Sequence, residues 1–327
     1  AGNHAQGVAY SATKLGMKST IFMPIFTPPL KVLATKGYGA NVILTGETFD
    51  DAYEESQKYC KEHNATYIHP FDDKMIIAGQ GTIGIEIYDQ LPEVDIVLVP
   101  IGGGGLISGV ASALKELNPH IKIVGVEAEG AASMYYSRKN KKIINIPQIS
   151  TIADGIAVKK PGELTYSLIE ELVDDLVVVS DTEIAHAAYL LLQRAKLLAE
   201  PSGVASMAAV LFNKCEFKNK NVVAIISGGN INMQILEQII EKGMYEEGLK
   251  TCIQLIIPDQ PGELKKILSV LETLKANIDD IEHDRSTADV TVGKTMLTIK
   301  LHLQNQEQLN IIINQFKERG LNCTVIN

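Results

Sequence analysis

Tryptophan is absent from this 327-residue chain, and cysteine occurs only four times. Cys60, Cys215, Cys252 and Cys323 stand far apart with no metal-ligand spacing. That scatter argues against a structural zinc site or a disulfide framework and favours reduced thiols in a cytoplasmic setting. No apolar run approaches the roughly 20 residues that span a bilayer. There is also no dense Lys/Arg block. Arg138, Lys139, Lys141 and Lys142 form one small basic cluster, which a solvated loop explains. With a net charge of −9, nucleic acid and anionic membrane are not expected partners. What remains is 46% apolar and 21% charged residues, an ordinary globular balance in a chain long enough for two or three domains. A small-molecule enzyme is the class left standing.

The hydrophobic pattern alternates between helical and strand periods. Residues 4–15, 28–37 and 49–63 read as helices, and 19–23, 40–44 and 66–69 as short strands. Farther on, 96–99, 121–126, 175–179 and 222–226 read as strands, with helices at 76–90, 106–117, 182–199 and 204–212. This order predicts parallel sheets with crossover helices. Acidic residues between Gly243 and Gly248 suggest a linker. Beyond it the pattern becomes strand 251–257, helix 261–274, strands 277–284 and 295–303, helix 306–318 and strand 322–326. That is a ferredoxin-like βαββαβ module, with one face of its sheet left to solvent or a partner. The expected domains are 1–72, 73–245 and 250–327.

Gly102, Gly103, Gly104 and Gly105 follow an apolar strand and precede a helical run starting at Leu106. A side-chain-free loop at a helix start presents outward amides and partial positive charge, the ingredients of a phosphate cradle. Two further stretches join it: AGNHAQG at 1–7 and SGGN at 227–230. Each alone is an ordinary turn or cap. Together, and with AGQGTIGIE (78–86), PIGGGGLISG (100–109), TIADGI (151–156) and EPSG (200–203), they resemble the fold-type II pyridoxal-phosphate enzymes. The likeness is specifically to the threonine/serine dehydratases, and it covers essentially the whole chain.

The resemblance implies a tryptophan synthase β-like α/β fold with two parallel-sheet domains. It implies pyridoxal 5′-phosphate with its phosphate on the amides of Gly102 to Leu106, its phenolic oxygen at Asn3 and its ring nitrogen at Ser227. The amides of Ala1, Gly2, Asn3 and His4 would receive the substrate carboxylate. A neutral hydroxyl at Ser227 does not keep the ring nitrogen protonated, which suits prompt loss of a β-leaving group from threonine or serine. Ala1 replaces a proton-donating serine of the related racemases, which favours dehydration over racemisation.

The resemblance also implies a cation site at Glu127, the Ala131 carbonyl and Ser133. Here Ser133 stands where relatives carry a second carboxylate, which weakens a divalent site; a plain strand-end carboxylate explains Glu127 as well. Glu200 reads either as a helper of the cofactor pocket or as a helix-end carboxylate. The C-terminal module resembles an ACT domain, implying an amino-acid effector near Gly262, for which a Pro-Gly helix start is an equal alternative, and a homodimer or homotetramer. The family's covalent link and its α-proton base come from a lysine in a Ser-Phe-Lys motif, which these residues do not contain. Lys14, Lys18, Lys31, Lys36 and Lys74 lack that context. No catalytic residue is therefore assigned, and the sequence is expected to be an inactive fragment of a dehydratase. The competing expectations are a lysine-less amino-acid sensor and a serine-specific lyase or racemase of the same fold.

Overall fold

The computed structural model describes residues 2–286 and 290–326. They form two compact units, one ending at Ile231 and the other beginning at Asn232. The first unit opens with α1 (Asn3–Lys14), β1 (Thr20–Met23), α2 (Pro29–Gly37), β2 (Asn41–Leu44) and α3 (Phe49–His63). It continues with α4 (Lys74–Gln90), β3 (Ile96–Pro100), α5 (Gly105–Leu117), β4 (Lys122–Ala128) and α6 (Ser133–Lys139). It closes with α7 (Glu163–Leu172), β5 (Asp175–Val179), α8 (Asp181–Leu190), α9 (Pro201–Leu211) and β6 (Val222–Ala224).

β1 and β2 pair in parallel as a small sheet. The larger sheet has the order β5-β4-β3-β6, parallel throughout. All five residues of β3 are buried, as a strand covered on both faces requires. Val97, Val99, Ile107, Leu114, Ile123, Met134 and Ile169 form the centre of its core. From β3 the chain moves outward through β4 to β5, whereas β6 lies on the other side of β3. The carboxyl end of β3 is thus a topological switch point, where the two neighbouring connections leave in opposite directions and open a crevice.

The second unit contains α10 (Met233–Glu246), β7 (Lys250–Pro258), α11 (Glu263–Thr273), β8 (Asn277–Asp284), β9 (Lys294–His302), α12 (Gln306–Glu318) and β10 (Cys323–Val325). Its sheet, β10-β7-β9-β8, is antiparallel in every pairing. After the exposed Lys294, β9 alternates buried and half-buried positions. Leu297, Ile299 and Leu301 pack in one core with Leu271, Ile312 and Phe316 from the two helices. The βαββαβ order read from the sequence is the order observed.

Three local expectations are corrected. Residues 66–69 form no strand: the Ile68 carbonyl accepts from the His4 ring, and the His69 ring accepts from the Phe71 and Asp72 amides, so these groups are engaged outside any sheet ladder. The linker at 243–248 begins inside α10, which runs to Glu246 and belongs to the second unit. The helix expected over 182–199 stops at Leu190, passes through a wider π turn at Leu191–Ala195, and ends where Lys196 takes φ 58°. The next helix then starts at Pro201, whose missing N–H costs nothing in a first turn.

α4 and α5 approach at glycines. A Cβ on Gly109 would lie 2.3 Å from the Ile77 carbonyl oxygen and 2.6 Å from the Gly81 nitrogen. Both are backbone atoms, so relief requires the helices to separate. Gly109→Ala is expected to lower stability by about 1–3 kcal/mol, read as a reduced midpoint in urea unfolding; an unchanged midpoint would contradict this packing.

Candidate active site

The glycine loop sits at the switch point. Ile101 N donates to Val126 O at 2.8 Å, the last sheet bond before the chain turns. Among the described residues the amides of Gly102, Gly103 and Gly104 have no backbone acceptor, and those of Gly105, Leu106 and Ile107 fall in the first turn of α5. First-turn amides have no partner within their own helix. Gly104 adopts φ 97°, the left-handed conformation that lets the loop swing from strand to helix. Gly103 to Gly105 are buried; Gly102 and Leu106 are half-buried.

Neighbouring segments brace this loop. The Phe71 ring would be 2.3 Å from a Cβ on Gly103, and the Phe71 backbone 2.9 Å from one on Gly105. The buried Thr165 hydroxyl donates to Gly103 O at 2.7 Å. Asp72 accepts from Glu163 N and Thr165 N, each at 3.0 Å, capping the start of α7.

A second set of contacts joins the three motifs. Asn3 Nδ2 donates to Glu200 Oε1 at 2.7 Å, and Asn230 Nδ2 donates to Asn3 Oδ1 at 2.8 Å. Glu200 N donates to Gly228 O at 2.9 Å, and Ser227 N to Gly203 O at 3.2 Å. Gly155 N donates to the buried Ser202 Oγ at 2.8 Å, while Ile156 backs onto Gly102. The contacts therefore run from Asn3 through Glu200 and Ser202 to Ile156 and the glycine loop. Burial pushes the Glu200 carboxyl above its ordinary value, and the charge of Asp154 acts the same way, against the Asn3 hydrogen bond and Lys31.

Of the residues expected from sequence, Asn3, Gly102–Gly105, Leu106 and Ser227 lie in this connected region. Gly2, with φ 131°, precedes α1, and Gln6 N donates to its carbonyl at 3.1 Å. His4 belongs to the first turn of α1, and its ring Nε2 is 2.9 Å from Ile68 O. Ala1 lies outside the described residues. Lys14, Lys18, Lys36 and Lys74 are exposed, whereas Lys31 reaches Asp154 at 3.4 Å. Phe71, Asp72, Thr165, Ser202 and Asn230 were not singled out by sequence reasoning. Asn230 and Ser202 lay inside quoted motifs, but the bracing trio carries no motif signal of its own.

Glu127 is buried at 1% exposure, and its oxygens accept Met134 N at 2.9 Å and Tyr135 N at 2.6 Å. Burial raises its carboxyl to about 8 against those two hydrogen bonds. Ala131 and Ser133 are buried beside it in sequence, and Ser133 Oγ has no hydrogen-bond partner. Among the described residues no group of three His, Cys, Asp or Glu side chains could hold a metal ion. In the second unit, Gly262 takes φ 97° ahead of α11, with nothing within 4 Å of a Cβ built there. Asp259 and Arg285 pair through two bonds of 2.8 and 3.0 Å.

Thr165→Val removes the buried hydroxyl that holds the Gly103 carbonyl while keeping its shape. A loss of about 1–2 kcal/mol is expected in chemical denaturation, with Thr165→Ser recovering most of it. Equal stability of the Val variant and the parent would remove this brace from the description.

Comparison with known proteins follows the same geography. The chain is 45% identical over 320 residues to the L-threonine ammonia-lyase of Geobacter sulfurreducens, covering 98% of this chain and 80% of the relative. Among solved structures, threonine deaminase isoform 2 from Solanum lycopersicum matches with a TM-score of 0.70 and 40% identity, over 73% of this chain and 67% of that one. Maize serine racemase matches with a TM-score of 0.69 and 38% identity, over 76% of each chain. The family model described as "Pyridoxal-phosphate dependent enzyme" matches residues 1–228, which contain the switch point, the glycine loop, the 1–7 motif and Ser227. The chain belongs to the family of pyridoxal-phosphate dependent enzymes.

Proposed function

We propose that the chain serves a β-elimination that deaminates L-threonine, and L-serine with it, to 2-oxobutanoate or pyruvate and ammonia. The observation that carries this is the cradle at the carboxyl end of β3, joined by hydrogen bonds and close contacts to Asn3 and the 227–230 turn. The residues present fit the cofactor: the loop bears no side chains, and its amides have no backbone acceptor among the described residues. The amides of Gly102 to Leu106 hold the phosphate, where fixed N–H dipoles favour an anion. Asn3, oriented by Glu200 and Asn230, addresses the phenolic oxygen, and Ser227 offers a neutral hydroxyl to the ring nitrogen. The amides of Gly2, Asn3 and His4 at the start of α1 receive the substrate carboxylate; Ala1, also expected from the sequence, lies outside the described residues. Bound pyridoxal phosphate supplies an electron sink for charge developing at the substrate α-carbon.

In the family the covalent link and α-proton removal fall to a lysine in a Ser-Phe-Lys segment. Residues 1–327 contain none, so turnover is proposed for the protein together with that lysine and not for these residues alone. A cation near Glu127 is a secondary proposal, supported by the unpartnered Ser133 hydroxyl. For the second unit we propose an ACT-type regulatory domain that takes an amino acid beside Gly262. Its ferredoxin-like order and the ion pair bracing that loop support the assignment. A homodimer or homotetramer working in the cytoplasm completes the proposal; no helix among the described residues is long and apolar enough to cross a membrane. The serine racemase likeness favours racemisation as the second reading, against which Ala1 offers no exchangeable proton.

Protein carrying the lysine, given pyridoxal phosphate and L-threonine, is expected to release 2-oxobutanoate faster than it racemises serine. Residues 1–327 alone are expected to form no borohydride-reducible link through a family lysine. Racemisation without 2-oxobutanoate would replace the lyase by the racemase. Isoleucine binding with neither activity would favour an amino-acid sensor.

A further inference from the structure

His69 holds two backbone amides with one ring nitrogen. Phe71 N and Asp72 N both donate to its Nδ1, at 3.2 and 2.7 Å. An acceptor Nδ1 must keep its lone pair, so the ring is neutral with its proton on Nε2. These bonds close a turn that presents Phe71 to Gly103 and Gly105 and Asp72 to the start of α7. Thr165, whose amide Asp72 fixes, then returns to the loop through its bond to Gly103 O. One turn therefore holds the same loop twice, directly through Phe71 and through Thr165 by way of Asp72.

We propose that His69 is a positioning residue for the phosphate cradle: its neutral imidazole sets the Phe71–Asp72 turn that aligns the Gly102–Leu106 amides, and protonation opens that turn. This rests on the glycine loop being the phosphate site. The groups facing the ring are Asp72 and Asp73, which favour its charged form, and His4 of α1, which opposes it; burial outweighs them and holds the imidazole below its ordinary value. Tyr67 and Phe71 meet it edge-on. The sign follows from linkage. The unfolded ring takes a proton near its ordinary value of about 6.5, the folded ring only at lower pH. The turn's contribution is complete above that value and is lost as pH falls through the lowered one.

The test compares binding of pyridoxine 5′-phosphate with that of pyridoxine, for the parent chain, His69→Ala and His69→Asn, at about pH 7.5 and in steps downward from about pH 6.5 to the onset of acid unfolding. Asparagine offers an acceptor oxygen to the amide two residues on and does not titrate. At the higher pH, His69→Ala is expected to bind the phosphate ester about tenfold more weakly, while His69→Asn stays near the parent. On acidification the parent should lose about tenfold more affinity than His69→Asn, a comparison that cancels the ligand phosphate's own titration. Pyridoxine binding should change in none of these. Circular dichroism and amide exchange at Thr165 in the ligand-free proteins give a second readout. Exchange there should quicken in His69→Ala and in the acidified parent, with secondary structure retained.

Parent-like affinity and exchange in His69→Ala, or an acid loss in His69→Asn equal to the parent's, would overturn the proposal. A parent that binds the phosphate ester no better than pyridoxine would instead overturn the phosphate site. The exchange measurement would then still decide whether His69 holds the loop.

Discussion

Backbone amides with no partner in helix or sheet are the constraint around which the first unit is arranged. A polar group left unpaired in a protein interior costs free energy, yet the loop from Gly102 to Leu106 collects several such amides beside a buried core. That arrangement is tolerable where an anion completes it. Their position follows from topology: β3 is the strand at which the larger sheet reverses its winding, so its carboxyl end opens a crevice with the start of α5 at its floor.

A loop without side chains cannot hold its own shape, and the surrounding structure supplies what it lacks. Phe71 occupies the space that side chains on Gly103 and Gly105 would need, and Thr165 anchors the Gly103 carbonyl. Asn3 is tied in turn to Glu200 and Asn230, which brings the first helix of the small-sheet region to the larger sheet. The same economy appears at Glu127. Its carboxyl oxygens accept two amides at the start of α6, so that corner is held by the chain's own hydrogen bonds.

Much of this architecture is legible in the residues. The apolar run at 96–100 and the glycines after it announce a buried strand and a bare loop, because both signals are local. The βαββαβ order of the second unit is equally plain from alternation and helical spacing. What escapes a sequence reading is decided by contacts between distant segments. Residues 66–69 have the β-branched and aromatic character of a strand, but the His4 and His69 rings take their backbone elsewhere. Asp72 caps a helix whose bonded amides lie 91 and 93 residues away in the chain, a relation no local pattern encodes. The grouping of α10 with the second sheet is likewise a packing outcome, since helix and glycine signals overlap around Gly243.

The central claim is that the glycine loop is the grip on the cofactor phosphate. A crystal structure with pyridoxal 5′-phosphate tests it most directly. The phosphate oxygens should lie about 2.7–3.2 Å from amide nitrogens of Gly102 to Leu106, with the ring running toward Asn3 and Ser227. A phosphate bound elsewhere, with those amides facing only solvent, would contradict it.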